Sequence, residues 1–249
     1  MTFPAASQSA QPASVLPQPT VVRREDYREP DWLAEELVLH FALDAQDTVV
    51  TAACGYRRRP GAAADAPLRL DGEALETLGV AINDQVLPQE AWVQDKGQLV
   101  LRDLPEHFTL HTQVRIHPST NLELSGLYAT GSTLLTQCEA QGFRRITWFQ
   151  DRPDVMTTYR VILQARRAQY PVLLSNGNLL ATDAPVTTEA RAALSALPLP
   201  ATDSDWHEAV WEDPFPKPSY LFALVAGKLA VNETRHRLAS GREVLLQVW

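Results

Sequence analysis

The residues best placed to do chemistry lie in one stretch, Gly126 to Asp154 (GLYATGSTLLTQCEAQGFRRITWFQDRPD). Gln137, Cys138 and Glu139 follow the apolar pair Leu134-Leu135. Strand alternation along Leu135, Gln137 and Glu139 aims Gln137 and Glu139 to the same side. A carboxylate beside a primary amide suits a small cation that donates several hydrogen bonds, because both side chains present acceptors. Read on physics alone, the same glutamate is first a solvated surface group next to a turn. The glycines and the pre-proline Arg152 fix the backbone at both ends of the stretch.

Other chemistries have less support. His107 and His111 are four apart, and His117 follows. On a helix that spacing would put two metal ligands on one face. The surrounding period is two, so the segment reads as a strand, with the three histidines spread along its polar, solvent-facing side. Cys138 could pair with a distant histidine as a nucleophile, but no pairing signal accompanies it. No G-x-S-x-G elbow, phosphate-binding loop or G-x-G-x-x-G occurs. We therefore assign no catalytic residue and no metal ligand. The two cysteines, Cys54 and Cys138, are too few for a disulfide framework and read as reduced, buried thiols. That favours a reducing compartment, the cytoplasm.

The elements that must position these residues are strands. Leu37, Leu39, Phe41 and Leu43 share one face of a period-two run. Phe108, Leu110, Thr112, Val114 and Ile116 alternate with Thr109, His111, Gln113 and Arg115. Tyr159, Val161, Leu163 and Ala165 repeat the pattern, as do Val244, Leu246 and Val248. Turn signals punctuate these runs at Arg59-Pro60-Gly61, Asp71-Gly72, Asn83-Asp84, Lys96-Gly97, Asn176-Gly177 and Ser240-Gly241. The expected fold is all-β, a saddle-like antiparallel β-sandwich domain from residue 21 to 249, preceded by a disordered N-terminal tail over residues 1–20. Thr187 to Ala196 reads either as two helical turns capped by Thr187 or Thr188, or as a polar surface loop. Ala181 to Ala201 as a whole reads as surface loop.

With 249 residues, 45% of them hydrophobic, the chain is long enough to bury a core without disulfides. The net charge of −8 and the absence of a basic stripe argue against nucleic acid as a partner. No apolar run approaches a membrane span, and the tail lacks the features of a signal peptide.

The stretch around Gln137 resembles the bacterial aminopeptidase N (alanyl aminopeptidase) family of zinc metallopeptidases. The resemblance is carried by Gly126-Leu127-Tyr128, Thr136-Gln137-Cys138-Glu139-Ala140, Gly142-Phe143-Arg144 and Asp151-Arg152-Pro153-Asp154. It continues through Tyr170-Pro171, Leu173 to Asn178, Trp211 to Pro218 and Tyr220 to Gly227. In that family this region is an amino-terminal β domain packed on a thermolysin-like catalytic domain. The resemblance implies that Gln137 and Glu139 bind the free α-amine of a peptide substrate, and that neither is a general base or a metal ligand. It also implies a zinc in the parent enzyme, held by an H-E-x-x-H helix and a later glutamate, and a G-A-M-E-N segment. Water activated by that zinc would attack, with a glutamate as general base.

Neither of those motifs occurs in this chain. The only His-Glu pair is His207-Glu208, and Trp211 stands where the second histidine would be needed. The expectation is a hydrolase fragment that contributes amine recognition and cannot turn over peptides alone. Two rivals stand beside it. One is a free-standing β-sandwich module that binds a peptide or protein. The other is a structural domain whose Gln137 and Glu139 are merely solvated.

Overall fold

A computed structural model describes residues 23–182 and 188–249. The expected tail over residues 1–20, and Thr187 as a helix cap, lie outside the described residues.

The strands run in chain order as β1 (Trp32–Leu43), β2 (Thr48–Arg58), β3 (Leu68–Asp71), β4 (Glu76–Ile82), β5 (Gln85–Val86), β6 (Trp92–Asp95), β7 (Gln98–Leu101), β8 (His107–Ile116) and β9 (Gly126–Thr130). They continue as β10 (Thr133–Gln137), β11 (Thr157–Arg166), β12 (Val172–Ser175), β13 (Asn178–Thr182), β14 (Trp206–Lys217), β15 (Leu224–Gly227), β16 (Asn232–Arg237) and β17 (Glu243–Val248). A short helix, α1 (Thr188–Ala192), precedes β14.

A large sheet has the order β13-β14-β11-β1-β2-β8-β4-β5. A second sheet, β12-β15-β10-β9, and a third, β3-β7-β6, complete the main body. The predicted dry row Leu37, Leu39, Phe41 and Leu43 is buried, as are Phe108, Leu110, Val114 and Ile116. These rows join one apolar cluster with Leu68, Leu70, Leu99 and Leu101 of the third sheet and with Leu127, Leu134 and Leu224 of the second. The architecture is all-β. Among the described residues its strand pairings are antiparallel with one exception: β1 and β11 run parallel, in register from Glu36↔Thr158 to Leu43↔Ala165. Such a pair needs a long crossover rather than a tight turn, and here more than a hundred residues separate the two strands, roughly ten times the minimum a crossover requires.

The turn signals fall where strands reverse. Lys96 and Gly97 have φ of 47° and 77° and form the two-residue link between β6 and β7. Positive φ at both positions matches the twist of the flanking strands. Gly177 and Gly241, each with φ of 86°, sit in the β12–β13 and β16–β17 links. The β16–β17 ribbon pairs only with itself, and Leu245, Leu246 and Val248 on it are exposed. The terminal period-two run thus forms a strand that does not enter the core.

The outer face of the large sheet departs from the sequence reading. Ala190, Leu194 and Leu197 are buried, so the segment after residue 187 is a helical turn and coil packed on the sheet rather than a polar surface loop. Ala190 and Leu194 cover Val38, Ala53, Ile162 and Val210. The same cover buries a polar row that crosses three strands. Gln164 Nε2 donates to Glu208 Oε2 at 2.9 Å, Gln164 Oε1 lies 2.8 Å from His40 Nε2, and Arg191 Nη2 donates to Glu208 at 3.0 Å.

His40 is 0% exposed. Burial lowers its pKa from 6.5 to about 4, the Gln164 hydrogen bond opposes that shift, and the Arg191 charge adds to it. The folded state therefore holds His40 neutral while the unfolded chain titrates near 6.5. Stability from this group is complete above 6.5 and is lost as pH falls toward 4. We expect wild type to lose about 2–3 kcal/mol more than His40→Gln between pH 7 and pH 4.5. Urea unfolding midpoints of the two proteins at both pH values measure this directly.

Candidate functional site

The hairpin β9–β10 pairs Gln137 with Gly126 at its open end. On its other side β10 pairs with β15 at only Leu134↔Ala226 and Leu135↔Val225. Beyond that point the Thr136 hydroxyl replaces the ladder: it accepts from the Leu224 N–H at 2.8 Å. The end of β10 is thus fixed on both sides just before Gln137.

Alternation then sets the side chains. Gln137 and Glu139 are exposed and Cys138 between them is buried. The backbone reverses over residues 138–142, where the Gly142 N–H donates to the Cys138 carbonyl at 2.8 Å. Gln141 takes φ of 73°. A Cβ on Gly142 would lie 2.3 Å from the Gln137 carbonyl oxygen and 2.9 Å from Cys138 Cα, so only glycine permits this closure.

The Gln137 side chain is partly committed to the turn, since its Nε2 donates to the Glu139 carbonyl at 3.0 Å. That orients the amide and leaves its oxygen outward as an acceptor. The Glu139 carboxylate makes no hydrogen bond or ion pair with any described residue. An exposed carboxylate without a cation, beside an oriented amide oxygen, can receive an external ammonium.

Behind the turn the packing is dense. Phe143 is fully buried, with ring centroids 5.3 Å from Phe222, 5.4 Å from Phe149 and 6.2 Å from Tyr159. Arg144 Nε and its backbone N–H both donate to Asp151 Oδ2, at 3.0 and 3.2 Å. Ser219 Oγ donates to the other oxygen, Oδ1, at 2.5 Å. Arg145 pairs with Glu73. Arg152 grips Asp154 with two nitrogens, and the Tyr27 hydroxyl donates to the same carboxylate at 3.0 Å. These partners hold the Asp154 carboxyl below its ordinary range, Arg152 contributing most. The D-R-P-D segment thus acts as a structural clasp. A cleft of about 650 Å³ opens beside the turn, lined by Gln141, Arg144, Asp151 and Arg152 among others.

The remaining sequence candidates separate. Burial pushes the Cys138 thiol up to about 12, with a further upward push from Asp151. A thiol held there is protonated at neutral pH and is no nucleophile. Cys54 is likewise buried, free and pushed up to about 12 by desolvation. Of the histidines, His107 is exposed and lies 3.1 Å from Glu35 Oε2, and His117 Nδ1 donates to the Gln46 carbonyl at 2.7 Å. His111 is not solvent-facing: it is 5% exposed, on the covered outer face of the sheet. Its neighbours across the ladder are the buried Ala53 and Ala81. Among the described residues no three His, Cys, Asp or Glu side chains come together to hold a metal ion. The site therefore does not fit a zinc centre.

The chain is similar to proteins of known activity. It is 45% identical over 232 residues to aminopeptidase N of Escherichia coli (strain K12), covering 93% of this chain and 24% of that protein. To aminopeptidase N of Haemophilus influenzae it is 37% identical over 230 residues, again 24% of that protein. The chain thus spans about a quarter of the length of these relatives. Its fold matches the crystal structure of Legionella pneumophila aminopeptidase A in complex with aspartic acid, with a TM-score of 0.77 and 30% identity over 90% of this chain and 24% of that one. An M1 zinc metallopeptidase from Deinococcus radiodurans, solved with a Tyr-Ser-Ala substrate, shares the fold at a TM-score of 0.65 and 14% identity. Residues 39–221, which include the whole Gln137–Gly142 turn and Phe143, Phe149 and Tyr159 behind it, match the Peptidase M1 N-terminal domain, and the chain belongs to that family.

Proposed function

We propose that this chain is the amine-recognition part of a zinc aminopeptidase, with Gln137 and Glu139 binding the free α-ammonium of a peptide substrate. One observation carries the reading. Among the described residues the exposed Glu139 carboxylate has no hydrogen-bond or ion-pair partner, and it follows a strand end that Thr136, Gly142 and buried Cys138 hold in place. An enzyme that removes amino-terminal residues must accept a chain end and refuse an internal peptide bond. A fixed carboxylate that pairs with an ammonium makes that distinction, because an internal amide offers neither the charge nor the extra donors. The relatives named aminopeptidase N support the assignment.

Zinc chemistry in this reading belongs to the rest of the enzyme, a thermolysin-like catalytic domain. We assign the domain to residues 21–249 and place the protein in the cytoplasm, consistent with the free, buried thiols of Cys54 and Cys138. No helix among the described residues is long and apolar enough to cross a membrane.

The test is Glu139→Gln in the polypeptide that carries this domain together with its catalytic domain. The substitution keeps shape and removes charge. We expect kcat/KM for an alanyl-anilide to fall by about 10–150-fold, the equivalent of a charge-assisted hydrogen bond of roughly 1.5–3 kcal/mol. Unchanged kcat/KM would return Glu139 to the status of a solvated surface group.

A further inference from the structure

The outer face of the large sheet carries a second, independent trough, on the side turned away from the β9–β10 hairpin. Its floor is β2, where Ala53 and Gly55 present almost no side chain. One wall is β1, which bulges between Ala34 and Leu37. The bulge puts both Glu35 and Glu36 on the surface, where regular alternation would expose only one. The opposite wall is β8 with the β4–β5 link, contributing His111 and Asp84. Together these residues enclose about 420 Å³, within the range of small-molecule sites.

Charge in the trough is one-sided. Glu35 is answered by Arg57 at 3.0 Å and by His107 at 3.1 Å. Glu36 has only a long contact to Arg160, at 3.7 Å. Asp84 is exposed and has no ion pair with any described residue. His111 lies between these carboxylates with 5% exposure, and it makes no hydrogen bond to a described residue. Its Nδ1 is buried without a partner. A buried polar atom with nothing to bond is costly unless something else satisfies it.

We infer that this trough binds a small organic dication, a molecule with an ammonium or guanidinium group at each end. One end pairs with Glu36 on β1 and the other with Asp84 across the trough. Adjacent strands lie about 4.8 Å apart and Asp84 sits on the β4–β5 link, three strands from β1, so the two carboxylates' backbones are roughly 14 Å apart, a span that an extended four-carbon amine with a guanidinium end covers once a hydrogen bond of about 3 Å is added at each end. His111 lines the trough between the two carboxylates. Burial lowers the His111 pKa and Asp84 only partly opposes this, so the ring is uncharged at neutral pH and does not repel a cation. A metal ion suits the trough less well, because no three ligating side chains converge there among the described residues.

The probe is agmatine, which carries a guanidinium and an ammonium four carbons apart. The chain is labelled with 15N at histidine, and the His111 ring signals are followed during titration with agmatine, zinc chloride and sodium acetate in turn. A saturable shift of His111 with agmatine and none with acetate is the expected result. The surface double variant Glu36→Gln/Asp84→Asn should bind at least about tenfold more weakly, with an unchanged melting temperature showing that the fold is intact. Three outcomes overturn the inference: no saturable shift with agmatine, equal affinity in the double variant, or saturation by zinc alone. None of them bears on Gln137 or Glu139, which lie on the other layer of the fold.

Discussion

Replacing Phe143 with alanine is expected to lower the unfolding free energy by about 3–5 kcal/mol, the usual cost of truncating a fully buried aromatic. Phe143 is the hub at which the site meets the core. It packs edge-on against Phe149, Phe222 and Tyr159, while Phe222 in turn stacks on Phe41 of β1 at 6.0 Å. Losing the ring removes contacts to three strands or links at once and leaves a void that rigid neighbours cannot fill. Phe143→Leu keeps most of the volume and is expected to cost less than half as much. Chemical denaturation of both variants against wild type makes the comparison. An Ala variant within about 1 kcal/mol of wild type would mean that the turn is not anchored through this ring.

Asp151 is the second large effect. Its side chain is 2% exposed in its pairing with Arg144, and it accepts from the Arg144 backbone and guanidinium and from Ser219. Asp151→Ala leaves the buried Ser219 hydroxyl and the Arg144 N–H groups without their shared acceptor, so it is expected to cost about 3–5 kcal/mol. Arg144 is partly exposed and retains a weaker contact to Asp71 at 3.8 Å, so Arg144→Ala strands the buried Asp151 and should be comparably severe. The double substitution removes both charges and should cost well below the sum. A double-mutant cycle by urea unfolding gives the coupling directly. Additive losses would show that the two side chains act independently, against the geometry.

These two residues explain how much of the site was legible beforehand. The placement of Gln137 and Glu139 on one side followed from alternation, and the structure exposes both around buried Cys138. The β1 row Leu37–Leu43 and the turns at Lys96-Gly97 and Asn176-Gly177 were readable for the same reason: period and φ are local properties. What holds the turn was not local. Thr136 bonds Leu224, 88 residues away, and Asp151 meets Ser219 at a separation of 68. No pattern within a strand announces such partners.

The outer face failed for a related reason. His111 reads as wet until something covers that face, and the cover comes from the segment around Ala190 and Leu194, which packs on Ala53 directly across from His111. The parallel pairing of β1 with β11 was also hidden, because alternation does not reveal the direction of a neighbouring strand.

The central claim is that Glu139 recognises a substrate's free amine. The direct measurement compares two competitive inhibitors of the polypeptide that carries both this domain and its catalytic domain. One inhibitor has a free α-amine and the other is its des-amino analogue, and both are tested on wild type and on Glu139→Gln. The account predicts that the substitution weakens the amine-bearing inhibitor by about 10–150-fold and leaves the des-amino analogue unchanged. Equal weakening of both, or of neither, would contradict it, because Glu139 would then be either a general support of the pocket or a bystander.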